Sequence, residues 1–382
     1  MRPLPLIIIL MVLDHIAFNG SRVTVTLYAI HQGASALTVG VLVAMYALLP
    51  ALLSVSAGRW IDRAGMEKPL LLGSATVGIG TMLPFLFPGL TVLYVTSVVV
   101  GVAFMLINVA AYHAVGELSL PEDRAVNFSY VALGFSTSAF IAPILSGVGI
   151  DHFGYRATFL LLAAFTILPI LALSLKLVPL PVPKPRPYGA ATGDVLDLLR
   201  DAQLRRLFIT MAILTVAWDV YGFAIPVHGI RMGLSASEIG IVMATFAAAT
   251  FTVRLATPFF VSRVNPWSML VASLMIAGAS FFALAFTSSV GMMMALMFLL
   301  GLGLGAPQPM ILTLLHESVP PGRAGEALGL RTTLINGSQT VMPLIFGAVG
   351  AALGMGPVFW TIAAVLIGGG LFADRVRRQS EH

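Results

Sequence analysis

Four ionisable side chains stand deep inside long apolar stretches: Asp14 and Arg22 near the start of the chain, Asp219 and Arg254 in its second half. At the middle of a hydrocarbon layer each would cost roughly 2.5–3.5 kcal/mol, and four unpaired ones on the order of 10 kcal/mol. That is comparable with the stability of a whole domain. Such groups must face a watery cavity or one another, which makes them functional candidates. Asp14 and Asp219 are candidates to carry protons. Arg22 and Arg254 can bind an anion, because a guanidinium fork matches carboxylate or phosphate oxygens. They can equally neutralise Asp14 and Asp219, and the choice between these readings sets the charge of the ligand.

The stretches around these residues are membrane spans. Of the 382 residues 58% are hydrophobic and 10% charged, whereas a soluble domain carries about 25% charged residues. The deficit leaves most of the surface facing lipid. Spans of about 20 apolar residues between charged or Pro/Gly breaks number twelve, the first at about residues 4–30 and the last at about 356–373. The first run is too long for a secretory signal, holds Asp14 and Arg22, and leads into further spans. Lys and Arg fall mostly on the side of the termini, from Arg2, Arg59, Arg63 and Lys68 to Arg375, Arg377 and Arg378. The opposite side receives only Arg156 and Arg231. The positive-inside rule makes the termini cytoplasmic, in a bacterial-type inner membrane. The net charge of +5 is scattered over short loops and is no nucleic-acid footprint. With no cysteine there are no disulfides or thiolate metal sites. Scattered histidines (His15, His31, His113, His228) are read as interfacial or hydrogen-bonded, so neither metal nor cofactor is expected.

The chain repeats itself. A shift of 200 residues pairs Gly40 with Gly240, Gly101 with Gly301, Pro143 with Pro343, Gly147 with Gly347, Gly154 with Gly354 and Phe159 with Phe359. It also sets Asn19 on Asp219, so each half places a polar group mid-way along its first helix. The expected fold is all-α, twelve transmembrane helices in two pseudo-symmetric six-helix bundles: residues 1–178, a linker 179–206, and 207–382. The alternating prolines of Pro179–Pro187 make the linker a stiff tether, followed by a short amphipathic helix from Asp194 along the membrane surface.

Between the second and third spans, Gly58, Asp62, Arg63 and Gly65 resemble the loop signature of the major facilitator superfamily of transporters, with Met66 and Glu67 where two basic residues are usual. Gly134, Pro143 and Gly147 in span five look like the Gly/Pro motif of its antiporter branch, with Ala142 in place of the usual Gly before the Pro. Parallel repeats about an axis along the membrane normal are how such transporters are built. The resemblance implies that the first helix of each half lines a central cavity. It gives Asp62 a gating role against the start of span eleven, where Arg331 lies, and implicates Gly58, Arg63, Gly65 and Pro143 in the same movement. Asn19, Asn108 and Gln308 are candidate lining residues. Pro307 and Pro309 around Gln308 mark either a cavity wall or a kinked packing helix. Tyr46, Tyr221, Asn336 and Gln339 are weaker candidates for the same wall.

The sequence-based expectation is therefore an alternating-access secondary transporter and not an enzyme, exporting a small organic molecule or drug in exchange for protons. It is expected to work as a monomer in the lipid bilayer, without a nucleic-acid partner. Two alternatives stand beside it: proton-coupled uptake of an organic anion through Arg22 and Arg254, and a non-transporting sensor on the same scaffold. Gly301–Ala306 spells a dinucleotide fingerprint, but inside an apolar span its small residues only let helices approach.

Overall fold

The computed structural model describes residues 3–120, 123–178, 180, 198–260, 264–319 and 324–380. Among them thirteen helices follow one another: α1 (Pro3–His31), α2 (Ala36–Ala64), α3 (Glu67–Leu86), α4 (Leu90–Leu118), α5 (Arg124–Ala164), α6 (Ile167–Ser174), α7 (Ala202–Arg231), α8 (Ala236–Phe260), α9 (Pro266–Leu284), α10 (Val290–Gly305), α11 (Pro307–Ser318), α12 (Ala324–Leu353) and α13 (Met355–Ser380). They make twelve crossings. The chain turns back within α5 at Gly154, whose φ of 80° favours a residue with no Cβ, so span five and the first part of span six run through one 41-residue element and α6 completes span six. Gly354, at φ 86°, makes the matching turn between α12 and α13. Span ten is two pieces, α10 and α11, because Pro307 brings no N–H and cannot continue the ladder of α10.

Side-chain caps start several helices. Ser35 accepts the Thr38 N–H at the head of α2. At the equivalent place before α8, Ser235 and Glu238 exchange bonds as a capping box. Asp201 accepts the Leu204 N–H, so α7 starts at Ala202, a few residues before the expected position of span seven. The linker from 181 to 197, with the surface helix expected at Asp194, lies outside the described residues.

Each lobe is tied together internally, α1 on α5, α3 on α4 and α2 on α4 in the first, α9 on α13 and α8 on α10 in the second. The repeat survives in the cores, where Phe159 and Phe359 are both fully buried. Leu52, Phe153, Leu175 and Leu255, by contrast, each show more than half of their surface to the outside. An exterior that apolar belongs in lipid. The lobes meet along two seams, α2 against α12 and α5 against α8.

Candidate functional site

The seams close tightly at one end of the molecule, the end holding the starts of α2 and α8. A Cβ on Gly40 would strike the Pro343 carbonyl oxygen, and one on Gly347 would lie 2.9 Å from the Ala36 carbonyl oxygen. In the other seam Gly240 meets the Pro143 carbonyl and Gly147 the Ala236 carbonyl in the same way. These are the residues paired by the 200-residue shift, so the repeat is a repeat of closure surfaces. Asp151, at the turn after span five, accepts the backbone N–H of Ala236 at 3.2 Å and of Ser237 at 2.8 Å across the lobes. Partial burial would raise its carboxyl, but these bonds and those of the Ser237 and Ser235 side chains outweigh it and hold the group below the usual carboxylate value. Nearby, Arg231 donates to the Gly350 carbonyl at 3.2 Å.

Below this closed end lies a chamber of about 580 Å³ between the lobes, within the range of small-molecule sites. Among the described residues those that line it come from α1, α2, α4, α5, α7, α8 and α12. Ser54, Arg254 and the exposed Thr332 lie toward its far end, the Arg-rich side.

Three of the four intramembrane charges reach this chamber. Arg22 on α1 lies 5.8 Å from the ring centroids of both Phe18 and Tyr46, a double cation–π contact. It is also within electrostatic range of Asp219 on α7, across the lobe boundary. Asp219 in turn accepts a hydrogen bond from the Ser338 hydroxyl of α12 at 2.5 Å. Arg254 on α8 donates across the lobes to the Ser136 hydroxyl of α5 at 2.8 Å, near the Tyr112 phenol.

Asp14 is elsewhere. It is 2% exposed and packed inside the first lobe, beside a small separate pocket lined by Leu10, Leu70, Ile107 and Leu173. Ser74 of α3 donates to one of its oxygens at 2.7 Å, while the other has no hydrogen-bond partner. The expectation that each of the four charges faces a watery cavity or another charge is thus corrected for Asp14. The helical period explains why. His15, Phe18, Asn19, Arg22, Val23 and Thr26 form the chamber-facing stripe of α1, and at 3.6 residues per turn Asp14 points about 110° away from its centre. Under the repeat, Asp14 and Ser74 fall on Leu214 and Leu274, both core residues of the second lobe.

Of the other expected residues, Asn19, Tyr46, Asn108, Pro143, Tyr221, Asn336 and Gln339 line the chamber. The Tyr46 hydroxyl is bonded to Ser21 and that of Tyr221 to the Met243 carbonyl, so both present mainly ring faces. Arg331 lies near Tyr112, the phenol that also neighbours Arg254, and is not among the described residues that line the chamber. Gly65 ends α2 at φ 81°, its N–H on the Ile61 carbonyl, and Gly58 lies about two turns earlier in open space. The side chains of Asp62, Arg63 and Gln308 are outside the described residues.

Sequence reasoning missed the aromatic lining. Phe18 stacks on Phe104 at 4.1 Å, and His15 packs edge-on to Phe135 at 4.5 Å while bonding to Ser138. The T-shaped pair Phe18–Tyr46 at 5.7 Å is repeated in the other lobe as Trp218–Phe246 at 5.0 Å. The signal was present: His15 is on the stripe of Arg22, and the 200-residue shift sets Phe18 on Trp218 and Tyr46 on Phe246.

Comparison with known proteins agrees with this geometry. The model of the Major Facilitator Superfamily matches residues 7–336 and 207–382. A class C tetracycline resistance protein of Escherichia coli is 25% identical over 364 residues, 90% of this chain and 87% of that protein. Multidrug resistance protein 2 of Bacillus subtilis (strain 168) is 31% identical over 133 residues, 34% of this chain and 32% of that protein, so that match spans about a third of the relative. The fold is similar to that of a POT family transporter solved with a thioalcohol-conjugated peptide: TM-score 0.82 at 14% identity, over 99% of this chain and 96% of that one. Two six-helix bundles around a lined chamber, with a family match running through both, make this chain a multi-pass membrane protein of the Major Facilitator Superfamily, a family of transporters and not of enzymes.

Proposed function

We propose that the protein is an alternating-access secondary transporter that exports a small organic molecule in exchange for protons, and that Asp219 is the proton carrier. The observation that carries this reading is the position of Asp219 in the chamber, opposite Arg22 of the other lobe and bonded to Ser338. A proton on Asp219 cancels its charge and weakens the attraction between the lobes, which favours their rocking apart. Loss of that proton to the other side restores the attraction. Protonation and lobe movement are then linked by one carboxyl, and binding of a ligand biases the same equilibrium. Asp14, enclosed in its own lobe with Ser74, is assigned the tie between α1 and α3 rather than the proton path.

The charge asymmetry of the loops supports cytoplasmic termini in a bacterial-type inner membrane, with the sealed end outward. One chain encloses the whole chamber, which supports a monomer as the working unit. Export is favoured by the resistance proteins among the relatives. A second reading, uptake of an organic anion with protons, is favoured by one observation: Arg254 is held by the neutral groups Ser136 and Tyr112.

The test is proton movement in proteoliposomes that enclose a pH-sensitive dye, with potassium and valinomycin clamping the membrane potential. Addition of a transported compound to the wild-type protein should move protons opposite to the compound. Movement in the same direction would replace export by the uptake reading, and transport without any proton signal would remove the coupling.

A further inference from the structure

The chamber holds two guanidinium groups and one carboxylate among its described lining residues, and the two cations are not placed alike. Arg22 is held over two rings with Asp219 in range, so its charge is answered from within the protein. Among the described residues Arg254 meets the Ser136 hydroxyl and the Tyr112 phenol and no carboxylate. A guanidinium withdrawn from bulk water with no acid beside it retains donors and charge for an incoming anion.

Between the two arginines runs a continuous aromatic wall. Phe135, next to Ser136, touches the His15 ring at 4.5 Å; His15 touches Phe104 at 5.1 Å; Phe104 stacks on Phe18 at 4.1 Å, and Arg22 sits over Phe18. A ring system laid on this wall gains stacking and apolar burial while its end stays beside Arg254. A cation in the same place meets two like charges and a single counter-charge, which disfavours it by several-fold to many-fold even when its rings fit.

Resting on the transporter reading, we infer that the chamber selects flat aromatic molecules carrying an anionic group, with the rings on the Phe135–Phe104–Phe18 wall and the anionic oxygens on Arg254. The amines expected of a general drug pump are the class it rejects. The anion leaves Arg254 when the lobes rock and water reaches the chamber from the other side; no covalent step is involved.

The experiment uses three ligands of one shape on the full-length protein in detergent: 9-anthracenecarboxylate, 9-anthracenecarboxamide and 9-(aminomethyl)anthracene, the last a cation at neutral pH. Anthracene fluorescence reads binding. The carboxylate should bind the wild type at least tenfold more tightly than the amide and the ammonium. Arg254→Gln should abolish that preference while leaving amide affinity within about threefold, and Ser136→Ala, which keeps the charge but removes its anchor, should lower it in part. Equal or tighter binding of the ammonium, no binding of any of the three, or an unchanged carboxylate affinity in Arg254→Gln overturns the inference. The wild-type comparison stands even if a variant misfolds. A proteoliposome arm separates the two levels: an ammonium that moves protons while the carboxylate does not refutes the substrate class and leaves the transporter standing. A carboxylate that binds with this preference but moves no protons keeps the substrate class and refutes the coupling.

Discussion

Gly40→Ala tests whether the seams set which end of the chamber is closed. The added Cβ would overlap the Pro343 carbonyl oxygen and lie 3.0 Å from its carbon and 3.3 Å from the Gly347 Cα. Carbon atoms prefer about 3.5–4.0 Å, so α2 and α12 must part by something like 1 Å, and both surfaces are backbone that cannot rotate away. Overpacking of this kind costs about 1–3 kcal/mol, charged only to the state in which the seam is shut. The sealed population should therefore fall by about 5–150-fold relative to the alternative. The chain has no cysteine, so a single Thr26→Cys, in the buried chamber stretch of α1 nearest the sealed end, is a specific reporter. Its labelling by a membrane-impermeant maleimide applied from the sealed side should accelerate by that factor in Gly40→Ala. Gly240→Ala should act alike through Pro143, whereas Gly337→Ala, with open space around it on α12, should not. An unchanged labelling rate in a folded Gly40→Ala protein would refute the closure argument.

Two further outcomes are expected. Asp151 is depressed because its charged form caps α8 across the lobes, so its contribution is complete above the ordinary value of 3.8 and is lost as pH falls through its lower value in the closed state. Asp151→Asn at neutral pH should raise labelling at Thr26→Cys, and acidifying the outer face below about pH 3.8 should shift the emission of an environment-sensitive dye already attached there, since maleimide itself needs the thiolate; no response to either would exclude the latch. Ser74→Leu alone should lower thermal stability by about 1–3 kcal/mol or more, since it removes the bonded partner of a buried carboxyl. Asp14→Leu with Ser74→Leu, copying Leu214 and Leu274 of the other lobe, should recover most of that loss and keep proton-coupled transport. A stable double variant without coupling would return Asp14 to the proton path.

Much of this was legible from residues alone. The register of Gly40, Pro143, Gly147 and their partners fixed two repeated bundles, and physically it marks where backbones touch across the seams, a contact that tolerates no side chain. Gly101 and Gly301 repeat the same device inside the lobes, against the Tyr46 and Phe246 carbonyls. Composition and intramembrane charge found Arg22, Asp219 and Arg254, because hydrocarbon makes such charge expensive wherever it lies. That rule carries no direction around a helix, and so it placed Asp14 in the chamber as readily as Arg22. The 3.6-residue stripe from His15 to Thr26 supplied the missing direction. Phe18, Phe104 and Phe135 escaped because phenylalanine is as common on a lipid face as in a cavity, and only their packing onto His15 and Arg22 separates the two.

The proposed coupling places the driving proton on Asp219. It is tested most directly by measuring exchange and accumulation of one substrate in the same Asp219→Asn proteoliposomes. In the wild type, a one-unit pH gradient across a potential-clamped membrane should sustain up to about a tenfold concentration ratio for one proton per substrate, since one pH unit is 1.36 kcal/mol. The amide of Asp219→Asn can still accept from Ser338 but cannot titrate. The variant should therefore keep downhill exchange while its accumulation ratio falls to about one. A variant that still accumulated substrate on the pH gradient as the wild type does would contradict the account.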